Sequence, residues 1–588
     1  MNKDNHIYVL GLNLYHGATA CLIKNDEVIG CVSEERFTRN KNQLGIPRES
    51  IRYLLKSNGL AIDDIAVVGL GGKWPTALMI AGHAEKSFNP TRAIINLVGL
   101  ILFKAPFLTP IYEWSHRNIY QRLVFPKLRQ KMDEELQAKT GLHNFLPFDH
   151  HDCHIASVLY GFIPDANKGK HAVLTHDAAG DGTCSSVTLI EEGKWKPIGK
   201  RTPNAFSPAW MYSVVTDFLG MKILEHEYKL MGLAPYADSK GVENTYQKLM
   251  PLFSLKKDLS FVTKIHCHTY YRWLKKNLER HRFDWIAGAV QRVIEELLLQ
   301  WVKLAIRRTG VKDIALGGGV FLNVKANMLI SEMKEVERLT VCPTSGDESA
   351  AIGAAYLAYK KICEDRNITF EPKPVRHLYL GAAYSDTEIK EAINKYNFKH
   401  QVKVQDCEDI EAKVAELLAS GKIVARFSGA AEWGARALGN RSILANPSDP
   451  TVVRIINEQI KCRDFWMPFA ASVLKEKESD YIINPKGIEA PYMALAFRTT
   501  ELARKHLCAA IHPFDFTIRP QIVDKEINPS YHRLIFLFKK STGISGVLNT
   551  SFNIHGEPMV FSPSDALHTF DDSGLKYLAI GNYLVAKL

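Results

Sequence analysis

Apolar and polar positions alternate in a regular order over the first 33 residues. Residues 7–13 read as a buried strand, His16-Gly17 as a turn, and 18–23 as a second strand. Lys24-Asn25-Asp26 is a polar turn, and 28–33 a third strand. The same order returns roughly 165 residues later, a spacing that reads as an internal repeat. There, 172–175, 185–190 and 195–198 read as strands. They are joined by the Gly-rich turn from Asp177 to Thr183 and by Glu191-Glu192-Gly193-Lys194. The alternative is two hairpins that resemble each other by chance.

A third segment extends the pattern. A short strand at 313–316 runs into Gly317-Gly318-Gly319 and Asn323, then into a helical pattern through Lys325, Asn327 and Leu329. Gly346-Asp347-Glu348-Ser349 precedes a small-residue helix at 350–359, which leaves Asp347 at its mouth. Duplicated meanders followed by helices are similar to actin-like, sugar-kinase-like folds. Such folds place Gly-rich turns on nucleotide phosphates, so Gly180, Gly182 and the Gly317 run are candidates for that duty. The pattern loosens after Lys360, and Glu371-Pro372-Lys373-Pro374 signals a linker. Two domains are expected, at 1–365 and 376–588. The second reads as mixed α/β, with helices at 409–418 and 451–460 and a strand at 423–427.

Composition narrows the class. With 588 residues, 74 basic and 63 acidic side chains and a net charge of +11, the chain suits an anionic ligand without demanding nucleic acid. Its ten cysteines include no C-x-x-C pair, which argues against a disulfide framework or a Cys-rich zinc site and points to a reducing cytosol. The N-terminus reads straight into a strand without a signal peptide. The apolar run at 93–108 is broken by Asn96, Gly99, Lys104 and Pro106, and falls short of the roughly 20 residues that span a bilayer. A core helix is expected there; a cleft wall or a membrane-surface contact are the alternatives.

The candidate chemistry begins at Asp149-His150-His151-Asp152-Cys153-His154. Asp149 is a helix N-cap, which puts His150 and His154 four apart on one face, able to share a metal ion. Asp177 at a strand end and Asp347 before a helix supply carboxylates. Two His and two Asp suit Fe²⁺, Zn²⁺ or Mn²⁺ and leave open positions. The competing reading is a pair of ordinary buried histidines. His151 and Cys153 point off that face, toward packing.

Further motifs run nearly the whole length. They include Val9-Leu10-Gly11-Leu12-Asn13 with His16, Glu34-Glu35-Arg36-Phe37-Thr38-Arg39, and Glu227-Tyr228-Lys229-Leu230-Met231-Gly232. In the C-terminal part they are Glu432-Trp433-Gly434-Ala435-Arg436, Asn440-Arg441-Ser442, Asn457 through Lys461, and Leu548-Asn549-Thr550-Ser551-Phe552-Asn553 with Gly556-Glu557-Pro558. In this set and order the chain resembles the O-carbamoyltransferases of the nodulation and antibiotic-tailoring family. The resemblance implies an actin-like N-terminal domain, similar to the subunit that places threonylcarbamoyl groups on tRNA, and a YrdC-like C-terminal domain. It implies that the second domain makes carbamoyl adenylate from carbamoyl phosphate and ATP (with Mg²⁺). The first then passes the carbamoyl group to an acceptor hydroxyl with the help of iron.

Roles follow from that resemblance. His16 is the candidate base for the acceptor, because an imidazole titrates near neutrality; a turn histidine is the competing reading. Lys229 and Asn323 join the glycines as nucleotide contacts. Arg436, Arg441, Lys461 and Arg519 are the cations that offset repulsion between two anionic substrates, with Lys461 and Arg436 central. Ser551, Asn549 and Asn553 offer hydrogen bonds to the carbamoyl amide. Surface ion pairs are the alternative for each arginine. The chain departs from the family pattern at His16-Gly17, at Gly434-Ala435-Arg436 and between His512 and Arg519.

The expected protein is a cytoplasmic, ATP- and metal-dependent carbamoyltransferase with a small natural product or glycan as acceptor. It is expected to have neither a nucleic-acid partner nor a membrane span, and a homodimer is compatible with the sequence. A tRNA threonylcarbamoyl transferase and a non-catalytic actin-like scaffold are the rival readings. A hydrogenase-maturation enzyme fits less well, since the Cys-rich motifs are missing. The apolar, aromatic stretch from 94 to 120 is a candidate wall for the acceptor pocket.

Overall fold

In a computed structural model of the chain, the first meander forms β1 (Tyr8–Asn13), β2 (Thr19–Lys24) and β3 (Glu27–Ser33), paired antiparallel. Parallel strands β4 (Ile65–Leu70) and β5 (Phe145–Pro147) extend it, in the order β3-β2-β1-β4-β5. The second meander forms β6 (Lys170–Gly180), β7 (Thr183–Glu191) and β8 (Lys194–Pro197). Parallel β9 (Asp313–Gly317) and β10 (Arg338–Val341) extend it on the side of β6. The spatial order is again third, second, first, fourth, fifth. Two sheets with this order and these directions are the duplicated α/β arrangement of an actin-like fold. The structure describes residues 6–73, 98, 100–102, 104, 105, 108, 111, 125–461 and 463–588. The apolar run at 93–108 and its extension to 120 lie largely outside the described residues.

Each sheet ends in an equivalent helix, α1 (His150–Phe162) after β5 and, farther along, a helix after β10. The intervening helices are α2 (Glu227–Leu233), α3 (Phe283–Thr309) and α4 (Val324–Glu332), and the one after β10 is α5 (Ala350–Asp365). Small residues let α5 lie close to both neighbours. A Cβ at Gly11 would stand 2.0 Å from the Ala351 carbonyl, and one at Gly353 would stand 1.8 Å from that of Cys153. The helix outlasts its predicted end because Ile362 and Cys363 continue its buried face.

The turn expected at 177–183 is shorter than its sequence suggests. Strand β6 continues through Asp177 to Gly180, with a pairing irregularity after His176. Only Asp181 and Gly182 reverse the chain, both with positive φ, as a two-residue hairpin requires. Asp177 therefore sits on a strand held by its neighbours rather than in a free loop.

The chain divides into two compact units, Met1–Glu34 with Asn42–Val375 and Glu35–Lys41 with Arg376–Leu588. The second is built on a mixed eight-stranded sheet. Its strands are β11 (Val402–Asp406), β12 (Val424–Phe427), β13 (Arg441–Ala445), β14 (Ala470–Leu474), β15 (Pro520–Val523), β16 (Gly546–Ser551), β17 (Tyr577–Ile580) and β18 (Tyr583–Lys587). Their order is β11-β18-β17-β12-β13-β16-β14-β15. The helix predicted at 451–460 is regular only over Thr451–Ile455; Ile456–Lys461 is wound as a π-helix, a widened turn frequent at functional positions.

Candidate functional sites: a histidine–aspartate cluster and a cationic cluster

Asp149 stands at the N-cap of α1, its carboxylate accepting from the N–H groups of His151 and Asp152. Arg201 donates to Asp149 and to Asp152, each at 2.6 Å, which pins the first turn. His150 and His154 then share one face, with their Nε2 atoms 3.0 Å apart. Asp177 brings Oδ2 to 3.2 Å from His154 Nε2 and 3.8 Å from His150 Nε2. Asp347 Oδ1 lies 3.7 Å from His150 Nε2. One ligand atom from each of the four residues lies within 4.8 Å of all the others.

This donor set fits a divalent metal ion. Two imidazole lone pairs at 3.0 Å repel each other unless a proton or an ion lies between them. Imidazole with carboxylate suits several first-row ions. His154 Nδ1 lies 3.1 Å from Ser349 Oγ, the kind of outer hydrogen bond that orients a metal-binding imidazole.

Electrostatics sharpen the fit. Burial lowers the pKa of His150, but Asp177, Asp347 and Asp181 outweigh it and raise it to about 9. Burial and the Asp177 charge raise Asp347 to about 8, against the pull of His150. Asp177 is held well below the usual carboxylate range: burial opposes this, but His150 and His154 prevail. Burial lowers His154. Without an ion, His150 and Asp347 thus both hold protons below about pH 8. A metal must displace them, so its affinity should climb with pH, by roughly ten- to a hundredfold per unit as one to two protons leave. Metal titrations between pH 6 and 8 measure this slope; a flat profile would remove His150 and Asp347 from the ligand set.

The neighbours of the cluster are small for a reason. A Cβ at Gly180 would stand 2.0 Å from His150 Cδ2. Gly319 donates its N–H to Asp177 Oδ2 at 2.8 Å, and Gly317 and Gly318 abut the carbonyls of His154 and His176. Of the glycines expected on nucleotide phosphates, Gly180 makes room for an imidazole, and Gly319 has its N–H engaged by a carboxylate. Gly182 closes the hairpin. Asn323 caps α4 through Ala326 N–H and exchanges two hydrogen bonds with Gln291. It is the N-cap of that helix. Lys229 is buried on α2.

His151 donates from Nε2 to the Thr183 carbonyl, leaving Nδ1 to accept from Thr175 Oγ1. Burial, with His150 and His154, pushes it down to about 3, so it is a neutral packing residue. His16 is half-buried in the β1–β2 turn, whose Asn13 side chain donates to the His16 carbonyl. Both its sequence neighbours approach the cluster. The Tyr15 ring meets the His150 ring edge-on at 5.8 Å, and a Cβ at Gly17 would stand 3.5 Å from Glu348 Oε2, next to Asp347. Tyr15 and Asp181 are missed by sequence reasoning. Asp181 accepts from the backbone N–H groups of His150 and Lys73 at 2.8 Å, and only the fold brings those three segments together. A second trio, His266, Cys267 and His268, also converges. Its His266 Nδ1 accepts from His268 N–H as a helix cap.

In the second unit, Lys461 donates to Ser551 Oγ at 3.0 Å and to Asn553 Oδ1 at 2.7 Å. Lys461 is 3% exposed. Its pKa is driven well below the ordinary lysine value by burial, then by Arg463 and Lys41. Arg519 is driven well below its ordinary value by burial, then by Arg436 and Arg463. Arg463 itself donates to Asn457 and lies over the Phe469 ring. Like charges drawn together in low dielectric disfavour one another. An anion among them would reverse that cost. Arg463 is the member sequence reasoning missed, although it lies only two residues past Lys461.

Arg436 is presented by a loop curled around Glu432, whose buried Oε1 accepts from the N–H groups of Leu438, Asn440 and Arg441. Two of the expected ligands, Arg441 and Asn549, also make contacts within the fold. The fully buried Arg441 donates to the carbonyls of Ser428, Asn440, Ala382 and Gly429, and its guanidinium lies 3.7 Å over the Phe427 ring. Its two terminal nitrogens brace these loops. Asn549, 1% exposed, donates inward to the Ala437 carbonyl and Ser472 Oγ.

Comparison with known proteins adds to this geometry. Residues 8–356 match the family described as carbamoyltransferase N-terminus, and residues 415–587 match carbamoyltransferase C-terminus. An uncharacterized protein of Synechocystis is 28% identical over 99% of this chain and 97% of its own length. An uncharacterized protein of Methanocaldococcus jannaschii is 31% identical over 80% of this chain and 78% of its own. The nodulation protein NolNO of Sinorhizobium fredii is 27% identical over 97% of this chain and 79% of its own. Among the described residues no helix is long and apolar enough to cross a membrane.

Proposed function

We propose, for a chain that belongs to the carbamoyltransferase family and is a transferase enzyme, a two-step, ATP-dependent O-carbamoylation divided between its two units. The observation that carries the reading is the cationic cluster of Lys461, Arg463, Arg519 and Arg436, in a chain that also holds the His/Asp cluster.

In the second, YrdC-like unit, carbamoyl phosphate gives up phosphate to water and leaves carbamate. The carbamate oxygen then attacks the α-phosphorus of ATP (as its Mg²⁺ complex), forming carbamoyl adenylate as pyrophosphate departs. Each partner is an anion, so the fixed cations lower the repulsion between them. Arg436 and Arg519 suit forked phosphate contacts, and Lys461 acts as a point charge. Ser551 and Asn553 are placed to accept from the carbamoyl NH₂ as they now accept from Lys461.

In the first unit the acceptor hydroxyl attacks the carbamoyl carbon and AMP departs. His150, His154, Asp177 and Asp347 would hold the divalent ion, Fe²⁺ by family resemblance, and the ion supplies Lewis acidity with no redox change. Buried Lys229 is the cation assigned to the adenylate phosphate. His16, in the turn beside the cluster, takes the acceptor proton. A small natural product or glycan alcohol is the acceptor class.

Pyrophosphate release from ATP tests the first step. It should require carbamoyl phosphate, and release that ignores carbamoyl phosphate would defeat the reading. His16→Ala should slow carbamoyl transfer by roughly 10²–10⁴ while leaving pyrophosphate release intact. Unchanged transfer kinetics would make His16 a turn residue.

A further inference from the structure

The motif Glu35-Arg36-Phe37-Thr38-Arg39 has no part in the chemistry above, yet its place in the fold is unusual. It follows directly on β3 of the first sheet, but Glu35–Lys41 belongs to the second unit. Arg36 is 5% exposed. Its guanidinium donates to the Gly434 carbonyl at 2.6 Å and to that of Met559 at 3.3 Å. Arg39 donates to the carbonyls of Met559 and Pro558, each at 2.8 Å, and faces the carboxylates of Glu557 and Asp565. The Phe37 ring meets Phe561 edge-on at 4.8 Å.

These partners lie on two loops that border the cationic cluster, one carrying Arg436 and the other following Ser551 and Asn553. Gly434 is two residues before Arg436. Glu557 offers its carbonyl to Asn553 Nδ2 at 2.6 Å, and Asn553 Oδ1 accepts from Lys461. A continuous line of contacts thus runs from Arg39 through Glu557 and Asn553 to the Lys461 ammonium. At the end of the segment, Lys41 is close enough to Lys461 to help hold its pKa down, behind burial and Arg463.

We propose that Glu35–Lys41 is a working wall of the anion site: Arg36 and Arg39 are positioning residues that hold its two loops, and Lys41 adds a cation for a phosphoryl ligand. The assignment rests on the cationic cluster being an anion site, as argued above. Its consequence is that carbamoyl activation depends on residues encoded within the sequence of the metal-binding unit, between its first meander and the rest of it.

The test uses the full-length protein and inorganic phosphate, titrated by calorimetry at several salt concentrations. Lys41→Gln should weaken phosphate binding by about tenfold and flatten its salt dependence, because one charge-assisted contact is lost, and Lys41→Arg should restore it. Arg39→Ala should weaken binding to a similar degree with the salt dependence unchanged, because no ligand charge is lost, and Arg39→Lys should recover part of it. Metal content, measured on the same samples, should stay at the wild-type level in all four. If wild-type protein binds phosphate, Lys461→Ala loses it, and both Lys41→Gln and Arg39→Ala bind normally, the segment is only a structural connection and the inference is overturned. If wild-type protein fails to bind phosphate, or Lys461→Ala binds it normally, the anion-site reading itself fails and takes the inference with it.

Discussion

Lys461→Ala is expected to abolish pyrophosphate release from ATP and carbamoyl phosphate, by roughly 10²–10³-fold or more, the range for removing one preorganised charge-stabilising donor. The ammonium is buried among neutral partners, Ser551 and Asn553, and beside other cations. It makes no carboxylate pair among the described contacts, so its removal breaks no ion pair. A loss of activity would therefore report lost charge at the anion site rather than a disrupted fold, and a thermal melt close to wild type would support that. Metal content should be unchanged, because the His/Asp cluster belongs to the other unit. Supplying carbamoyl adenylate should restore transfer in this variant, within the lifetime of the anhydride. Normal pyrophosphate release by Lys461→Ala would mean that the second unit is not the activating site, and the two-step reading would fall.

The opposite pattern is expected of His154→Ala. His154 Nε2 is 3.2 Å from Asp177 and 3.0 Å from His150 Nε2, so it lies at the centre of the donor set. Losing it should weaken metal affinity by more than the roughly 10–100-fold that follows from changing an outer hydrogen-bond partner. Purified variant should contain little of the roughly one ion per chain expected of wild type, the complement of a single activating site. Transfer to the acceptor should fail while pyrophosphate release persists. The two variants are informative together, because a merely misfolded chain loses both activities. Full metal occupancy in His154→Ala would exclude the cluster as the binding site.

Local pattern carries much of this protein's architecture, since strand alternation, turn residues and an N-cap act over a few positions. The duplicated meanders, the Asp149 cap and the i, i+4 pairing of His150 with His154 all follow from such short-range rules. The drawing together of Asp177 and Asp347 was legible only as chemistry, because it depends on the end of β6 and the turn before α5 both reaching His150. The glycines show the limit of motif reading. A Gly run permits close approach by anything, and at Gly180 and Gly319 the fold brings an imidazole and a carboxylate, contacts that no motif foretells.

The same limit separates the arginines. Arg436 and Arg441 look alike in one Gly/Ala-rich run, yet the turn around Glu432 leaves the first half-buried at a loop and buries the second under four carbonyls. Lys41, Arg436 and Arg519 gather around Lys461 and its near neighbour Arg463 although they come from three distant stretches, and no periodicity encodes that. What the sequence determined by itself was the kind of fold and the family, together with a set of candidate side chains, because these rest on local propensity and on motifs. What only the tertiary structure decided was which side chains meet and which are committed elsewhere. That depends on long-range packing, which placed a segment following β3 in the second unit, beside the loops of the anion site.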